Sequence, residues 1–193
     1  MSRDEIKKEV GVYAADFVQQ GMTIGIGSGS TVYWFIEELG RRLKQGLEIT
    51  AVPTSMQSKQ LASNAAIPIS DLNSIDKLVL TIDGADEIDP EGQLIKGGGG
   101  ALLQEKIVAA SSVELIIIAD SSKLVQRLGK FPLAVEVIPF GYKQVKQKLI
   151  AAGFCTKISL RKKNNEIFVT DHGLLLICNC RVYQCASTAR FAI

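Results

Sequence analysis

The chain has 193 residues, 47% of them hydrophobic and 22% charged, with a formal net charge of +2. That length buries a real core in one domain, or in one domain with a small appendage. The basic residues are dispersed, which argues against a nucleic-acid or membrane surface. "MSRDEIKKEV" opens charged and helix-like, unlike a secretory leader, and no apolar stretch reaches the roughly 20 residues of a bilayer span. The expectation is a cytoplasmic protein.

Ile6, Val10, Ala14, Phe17 and Val18 repeat at helical spacing, and Gly21 closes that first helix. "MTIGIGSGSTVYWFIEELGRRL" then gives a short apolar strand, a Gly/Ser turn and a helix from about Thr31 to Leu43. "LEITAVPTS" reads as a strand, "MQSKQLASNAA" as a helix, "IPISDL" as a short strand, and "KLVLTIDGAD" as an apolar strand ending at Asp83. "ALLQEKIVAASS" is helical, and "ELIIIADSSK" reads as a further buried strand that turns polar at Asp120. Pro132 and Pro139 mark a crossover into different structure. From about residue 131 a strand–helix–strand unit follows, with "YKQVKQKLIAAG" as its helix and "EIFVTDHG" as a strand and turn.

This alternation implies an α/β, Rossmann-like fold: a mostly parallel sheet with helices on both faces, and a smaller α+β second domain. The expected division is 1–127 for the α/β domain and 128–193 for the smaller one. Arg161 to Lys163 reads as a solvated basic turn. Cys155, Cys178, Cys180 and Cys185 lack the paired C-x2-C units of a zinc ribbon, and His172 is the only histidine. Reduced thiols in an apolar tail are expected, and no metal site.

Ligands of open α/β sheets bind beyond the carboxyl ends of the strands. Three polar segments fall there: "GSGST" (27–31), "DGADE" (83–87) and "DSSK" (120–123). The first suits an anion, because small residues expose backbone N–H groups ahead of a helix. It lacks the lysine of a Walker A loop and the third glycine of a dinucleotide fingerprint, so a purely structural tight turn stays open. Asp83, Asp86 and Glu87 form a carboxylate group suited to acid–base work, or simply a solvated helix start or cation loop. In "KGGGGALLQEK", four glycines imply backbone brought close to something, and Lys96 can neutralise an oxyanion. Glu105, on the following helix, either faces the strand ends or pairs with a surface lysine.

Taken in order, "GIGSGST", "TIDGADEID", "KGGGGALLQEK", "IADSSK" and "LGKFPLAVEVIP" resemble the A-type ribose-5-phosphate isomerase family over residues 1 to about 173. The resemblance implies interconversion of D-ribose 5-phosphate and D-ribulose 5-phosphate through an enediolate, with no metal or organic cofactor. It implies Glu105 as the catalytic base, Asp83 as the acid assisting ring opening, and Lys96 with the Gly97, Gly98 and Gly99 amides as the enediolate's stabilisers. Asp86 would lie beside the sugar hydroxyls, with Gly84 and Ala85 also lining the substrate. Ser28, Gly29, Ser30, Thr31 and Lys123 would hold substrate and phosphate, with Lys7 assisting. The family commonly forms dimers or tetramers, and of these a homodimer is expected. The related sugar-phosphate-sensing domains are the rival class, and a sensor has no need of the base. After Gly173, "LLLICNCRVYQCASTARFAI" departs from the family's usual ending.

Overall fold

The computed structural model describes residues 1–153 and 158–180, with side chains described as far as residue 177. Two compact units are present among them. The first holds 1–85 and 103–123, and the second 86–102 and 124–153 with 158–180, so the chain passes from one to the other after Ala85, Leu102 and Lys123.

The first unit begins with α1 (Arg3–Ala14), followed by a 3-10 turn over Ala15–Phe17. The regular helix is therefore shorter than the periodicity predicts, and Gly21 follows it in the left-handed region at φ +78°. Next come β1 (Thr23–Ile26), α2 (Ser30–Leu43), β2 (Thr50–Pro53), α3 (Met56–Asn64) and β3 (Leu78–Asp83). Here "IPISDL" differs from its reading as a strand. It makes one bridge, Ile69 to Ala51, and then a 3-10 turn at Leu72–Ser74. Pro68 has no N–H to give to a ladder, and Asp71 caps the turn by accepting the Asn73 N–H.

In the second unit, β4 (Glu87–Ile88) and β5 (Leu94–Ile95) form a small antiparallel hairpin inside the acid-rich loop. The chain rejoins the first unit through α4 (Leu102–Ala110) and β6 (Ser112–Ile117). These strands form a fully parallel sheet in the order β2-β1-β3-β6. Ile24, Ile26, Leu80 and Ile82 pack with Val32, Phe35, Ile36 and Leu39 of α2 and with Ala62 of α3 on one face. Val52 and Val108 of α4 pack on the other. Helices thus cover both faces, as parallel crossovers require.

β6 departs from its reading as a buried strand. Among the described residues it is the last strand of the sheet, hydrogen-bonded on one side only, and Val113 is 63% exposed. Its apolar residues suit a strand; position in the sheet decides what they bury against.

The second unit also contains β7 (Leu133–Val137), α5 (Tyr142–Ala151), β8 (Ser159–Leu160), β9 (Lys162–Lys163), β10 (Glu166–Ile167) and β11 (Leu175–Cys180). β11 lies between β7 and β8 in a three-stranded antiparallel sheet, and β9 pairs with β10. Val137, Ile158, Leu175 and Ile177 form its core, with Tyr142 and Leu149 of α5 against them. Lys162 and Lys163 are exposed as expected, but Arg161 is half-buried and bonds to backbone. The cysteine reading lies outside what is described, since it concerns residues 155 and 185 and the side chains of 178 and 180. Among the described residues no three His, Cys, Asp or Glu side chains gather as metal ligands, and no helix is long and apolar enough to cross a membrane.

Candidate active site

In the first unit the polar segments meet at the carboxyl edge of the parallel sheet. Gly25 and Gly27 make this possible by lacking side chains. A Cβ on Gly25 would lie 2.0 Å from Thr81 Oγ1 and 2.6 Å from Val108 Cγ1, and one on Gly27 would lie 2.1 Å from Asp83 Oδ1. The bare glycines therefore let α4 settle onto the sheet and let the Asp83 carboxylate occupy the strand end.

Asp83 is fully buried, and its Oδ1 accepts N–H bonds from Gly84 at 2.7 Å and Ser28 at 3.2 Å. Ser28 Oγ sits 3.0 Å from Thr54 Oγ1 and 2.7 Å from Ser55 Oγ. The turn after β1 is thus tied to β3 through a carboxylate and to the end of β2 through hydroxyls. Thr54 and Ser55 were not singled out from sequence; their signal was the "PTS" that follows a strand.

Gly29, at φ +124°, is the N-cap residue of α2 and offers no side-chain cap. α1 and α3 differ, each starting with a capping box, Ser2 with Glu5 and Ser55 with Ser58. The first-turn amides of α2 therefore lack a cap from their own sequence, with exposed Ser30 and buried Thr31 beside them. Open N–H groups at the positive end of a helix suit an anion.

Glu105 is 5% exposed. Gln104 Nε2 donates to the Pro53 carbonyl at 2.9 Å, which holds the start of α4 at the carboxyl end of β2. Glu105 precedes Val108 by three residues and so shares its face, the one packed on Gly25 and Thr81. The side chain therefore faces the sheet, one turn nearer the carboxyl edge than Val108. Of the two readings left open for Glu105, the surface-lysine pair does not describe a carboxylate buried this way.

Asp120, just beyond β6, is buried. Hydrogen bonding from the Ser122 hydroxyl, then from its amide (N–H to Oδ1, 3.0 Å), holds its carboxyl below the usual range, helped by the charges of Arg3 and Lys7 and opposed by burial. Arg3 Nε lies 3.6 Å from Asp120 Oδ1, and an Arg3 guanidinium N–H donates to Ser122 Oγ. This fixes the 3-10 turn Ser121–Lys123, where Lys123 is half-buried and its N–H donates to the Asp120 carbonyl at 3.0 Å. Lys7 is largely covered and lies 3.8 Å from Asp4.

In the second unit, the Asp86 carboxylate accepts the Gly98 N–H at 2.7 Å, and the Asp86 N–H donates to Ile95 O at 2.8 Å. Asp86 thus holds the glycine tract. Gly97 and Gly100 adopt φ of +94° and +88°, a region that favours glycine. Gly100 N–H closes a turn onto Gly97 O at 3.1 Å, while Lys96 is half-buried and Gly99 exposed. Glu87 is buried and faces elsewhere, its carboxylate accepting the N–H groups of Gly129, at 2.7 Å, and Phe131. Sequence reasoning grouped Glu87 with Asp83 and Asp86; the structure gives it a loop to hold. Arg161, read as part of a basic turn, donates from Nη1 to the Gly98 carbonyl at 2.8 Å.

Comparison with known proteins identifies the family. The family profile of ribose 5-phosphate isomerase A (phosphoriboisomerase A) matches residues 50–191, further than the motif likeness that stops near 173. The chain is 58% identical over 172 residues to ribose-5-phosphate isomerase A of Bacillus mycoides strain KBAB4, covering 89% of this chain and 77% of that protein. It is 49% identical over 168 residues to the Listeria monocytogenes protein of the same name, covering 86% and 74%. Among solved structures, a D-ribose-5-phosphate isomerase in complex with phospho-erythronic acid superposes with a TM-score of 0.89 at 39% identity, over 95% of this chain and 82% of that one. The Plasmodium falciparum ribose 5-phosphate isomerase gives a TM-score of 0.87 at 41% identity, over 91% and 77%. The chain belongs to the ribose 5-phosphate isomerase A family.

Proposed function

We propose that this chain is an aldose–ketose isomerase that interconverts D-ribose 5-phosphate and D-ribulose 5-phosphate through an enediolate, in the non-oxidative pentose phosphate pathway. One observation carries the reading beyond the likeness. At one edge of one sheet, a helix start without a side-chain cap lies among hydroxyls, alongside the buried carboxylates Asp83 and Glu105. The first suits a phosphate and the second proton chemistry.

Isomerisation moves a proton between adjacent carbons, so one base must reach both while the neighbouring oxygen gains charge. We assign the base to Glu105, which takes the C2 proton of the open-chain aldose and returns it to C1, while the O2 hydroxyl proton of the enediolate passes to O1. Asp83 assists ring opening. Its position, fixed by the Ser28 and Gly84 amides, serves a group that exchanges a proton with a ring oxygen. Lys96 and the Gly97, Gly98 and Gly99 backbone are assigned to the enediolate oxygens, and Asp86, Gly84 and Ala85 to the sugar. Ser28, Gly29, Ser30, Thr31 and Lys123 are assigned to the substrate and its phosphate. The chemistry asks for no metal or organic cofactor. We also read the protein as a cytoplasmic homodimer, a state supported by exposed Val79, Val113, Leu103 and Ile107 in the first unit.

The test is a coupled assay of the purified full chain with ribose 5-phosphate, beside calorimetric binding of the same sugar. Turnover supports the reading. Binding without conversion, in a folded protein, would assign it instead to sugar-phosphate sensing.

A further inference from the structure

We infer that Arg161 is a positioning residue that aims the Gly99 N–H at the developing enediolate. The inference rests on the glycine tract's proposed role and adds a residue more than sixty positions away to it.

A trans peptide unit is planar, with its C=O and N–H pointing in opposite directions. Arg161 Nη1 donates to the Gly98 carbonyl at 2.8 Å, which fixes the plane that carries the Gly99 N–H and turns that N–H away from the guanidinium. The preceding plane is fixed as well. Its N–H, on Gly98, goes to Asp86 Oδ2 at 2.7 Å, and its carbonyl, on Gly97, accepts the Gly100 N–H at 3.1 Å. Gly98 is thus gripped at both its donor and its acceptor. Among the described residues no acceptor takes the Gly99 N–H, Gly99 is exposed, and a Cβ there would meet nothing within 4 Å. One oriented donor remains, on an exposed residue.

Arg161 is itself held. Its own N–H donates to Leu176 O at 2.8 Å, and its carbonyl accepts the Phe168 N–H at 2.9 Å. Its guanidinium lies 5.9 Å from the Phe168 ring centroid. A Cβ on Gly100 would lie 2.7 Å from Phe168 Cε1, so the same ring closes over the glycine turn. A glycine tract is costly to order, and an oxyanion donor helps only if it is oriented before charge develops. A charged bond to the adjoining carbonyl supplies that order, and withdraws electron density along the peptide to make the N–H a better donor.

The experiment compares the full chain with Arg161→Met and Arg161→Lys. Each is assayed for kcat and KM with ribose 5-phosphate, for inhibition by phospho-erythronic acid and by inorganic phosphate, and for the 15N shift of the Gly99 amide when phospho-erythronic acid is added. Losing an oxyanion donor outright costs about 10²–10³ in kcat, so a donor left unaimed should cost Arg161→Met about 10- to 100-fold. KM and phosphate inhibition should hold within about threefold, because contacts made equally in ground and transition states are untouched. The ligand-induced Gly99 shift should fall by about half or more, and lysine should restore most of it by keeping one charged donor. An unchanged Gly99 shift with unchanged kcat in Arg161→Met overturns the inference alone. Equal losses of turnover and phosphate affinity that lysine does not rescue overturn it too, by showing a merely structural role. A wild-type Gly99 amide that ignores the ligand, in an active enzyme, removes the glycine tract from the mechanism and the inference with it. Should Arg161→Met fail to fold, Phe168→Leu loosens the same guanidinium: lower kcat at constant KM supports the inference, and unchanged kcat overturns it.

Discussion

Glu105→Gln keeps the size of the side chain and removes its basicity. General-base catalysis is worth about 10²–10⁴, so turnover of ribose 5-phosphate should fall by about 10³ or more while calorimetric affinity stays within a few-fold. Near-normal turnover would remove Glu105 as the base. Lys123→Ala should act differently: as a phosphate contact it stabilises substrate and transition state alike, so steady-state kinetics should show KM rising about tenfold with kcat nearly constant. A loss confined to kcat would contradict that assignment. Gly27→Ala tests the sheet edge. Its Cβ would meet the Asp83 carboxylate at 2.1 Å and the Asp83 Cα at 2.6 Å, so relief requires backbone movement. Overpacking of this kind costs about 1–3 kcal/mol, to be read as a lowered Tm, and turnover should fall with it because Asp83 is displaced.

Among the elements, α2 is held to the 3-10 turn after α1 by a charged staple. Glu38 is buried, accepting from Arg41 Nε at 2.8 Å and Nη2 at 2.6 Å and from Arg42 Nε at 2.8 Å; Arg42 goes on to the Ala15 carbonyl and to Asp16. The Arg41 hydrogen bonds, against the opposing effect of burial and with Arg42's help, lower the Glu38 carboxyl from 4.5 to about 2. A carboxylate depressed in the folded state binds fewer protons there than in the unfolded chain. Its stabilisation is therefore full above pH 4.5 and is lost as pH falls towards 2. Thermal unfolding followed by circular dichroism should show Tm dropping across that window. Glu38→Gln should lower Tm at pH 7 and flatten the acid limb, and an unchanged limb would exclude this staple as its cause. At the same scale, helix and strand order was legible because apolar spacing is local. The extent of α1 and the bridge at "IPISDL" were not, because caps and ladder partners decide element ends.

For the whole molecule, the acid-rich stretch spans two units: Asp83 to Ala85 belong to the first, and Asp86 to Leu102 to the second. Composition is continuous across that crossing, so nothing local marks it. The homodimer reading is tested at this scale by light scattering coupled to size exclusion, where a mass near twice 20.9 kDa is expected and a monomer mass would refute it.

The sequence by itself determined the order of elements, the glycines that the sheet edge requires, and the motifs that identify the family, because each is written in neighbouring residues. Tertiary structure alone decided where distant side chains act. Glu87 reaches amides 42 and 44 residues on, and Arg161 reaches a carbonyl 63 residues back. It also decided that β6 is an edge among the described strands, since a strand's neighbours follow from sheet order and not from its own residues. A basic triplet looks the same whether it faces water or holds a peptide plane. Only the packed chain, by bringing Arg161 to Gly98, makes the difference physical.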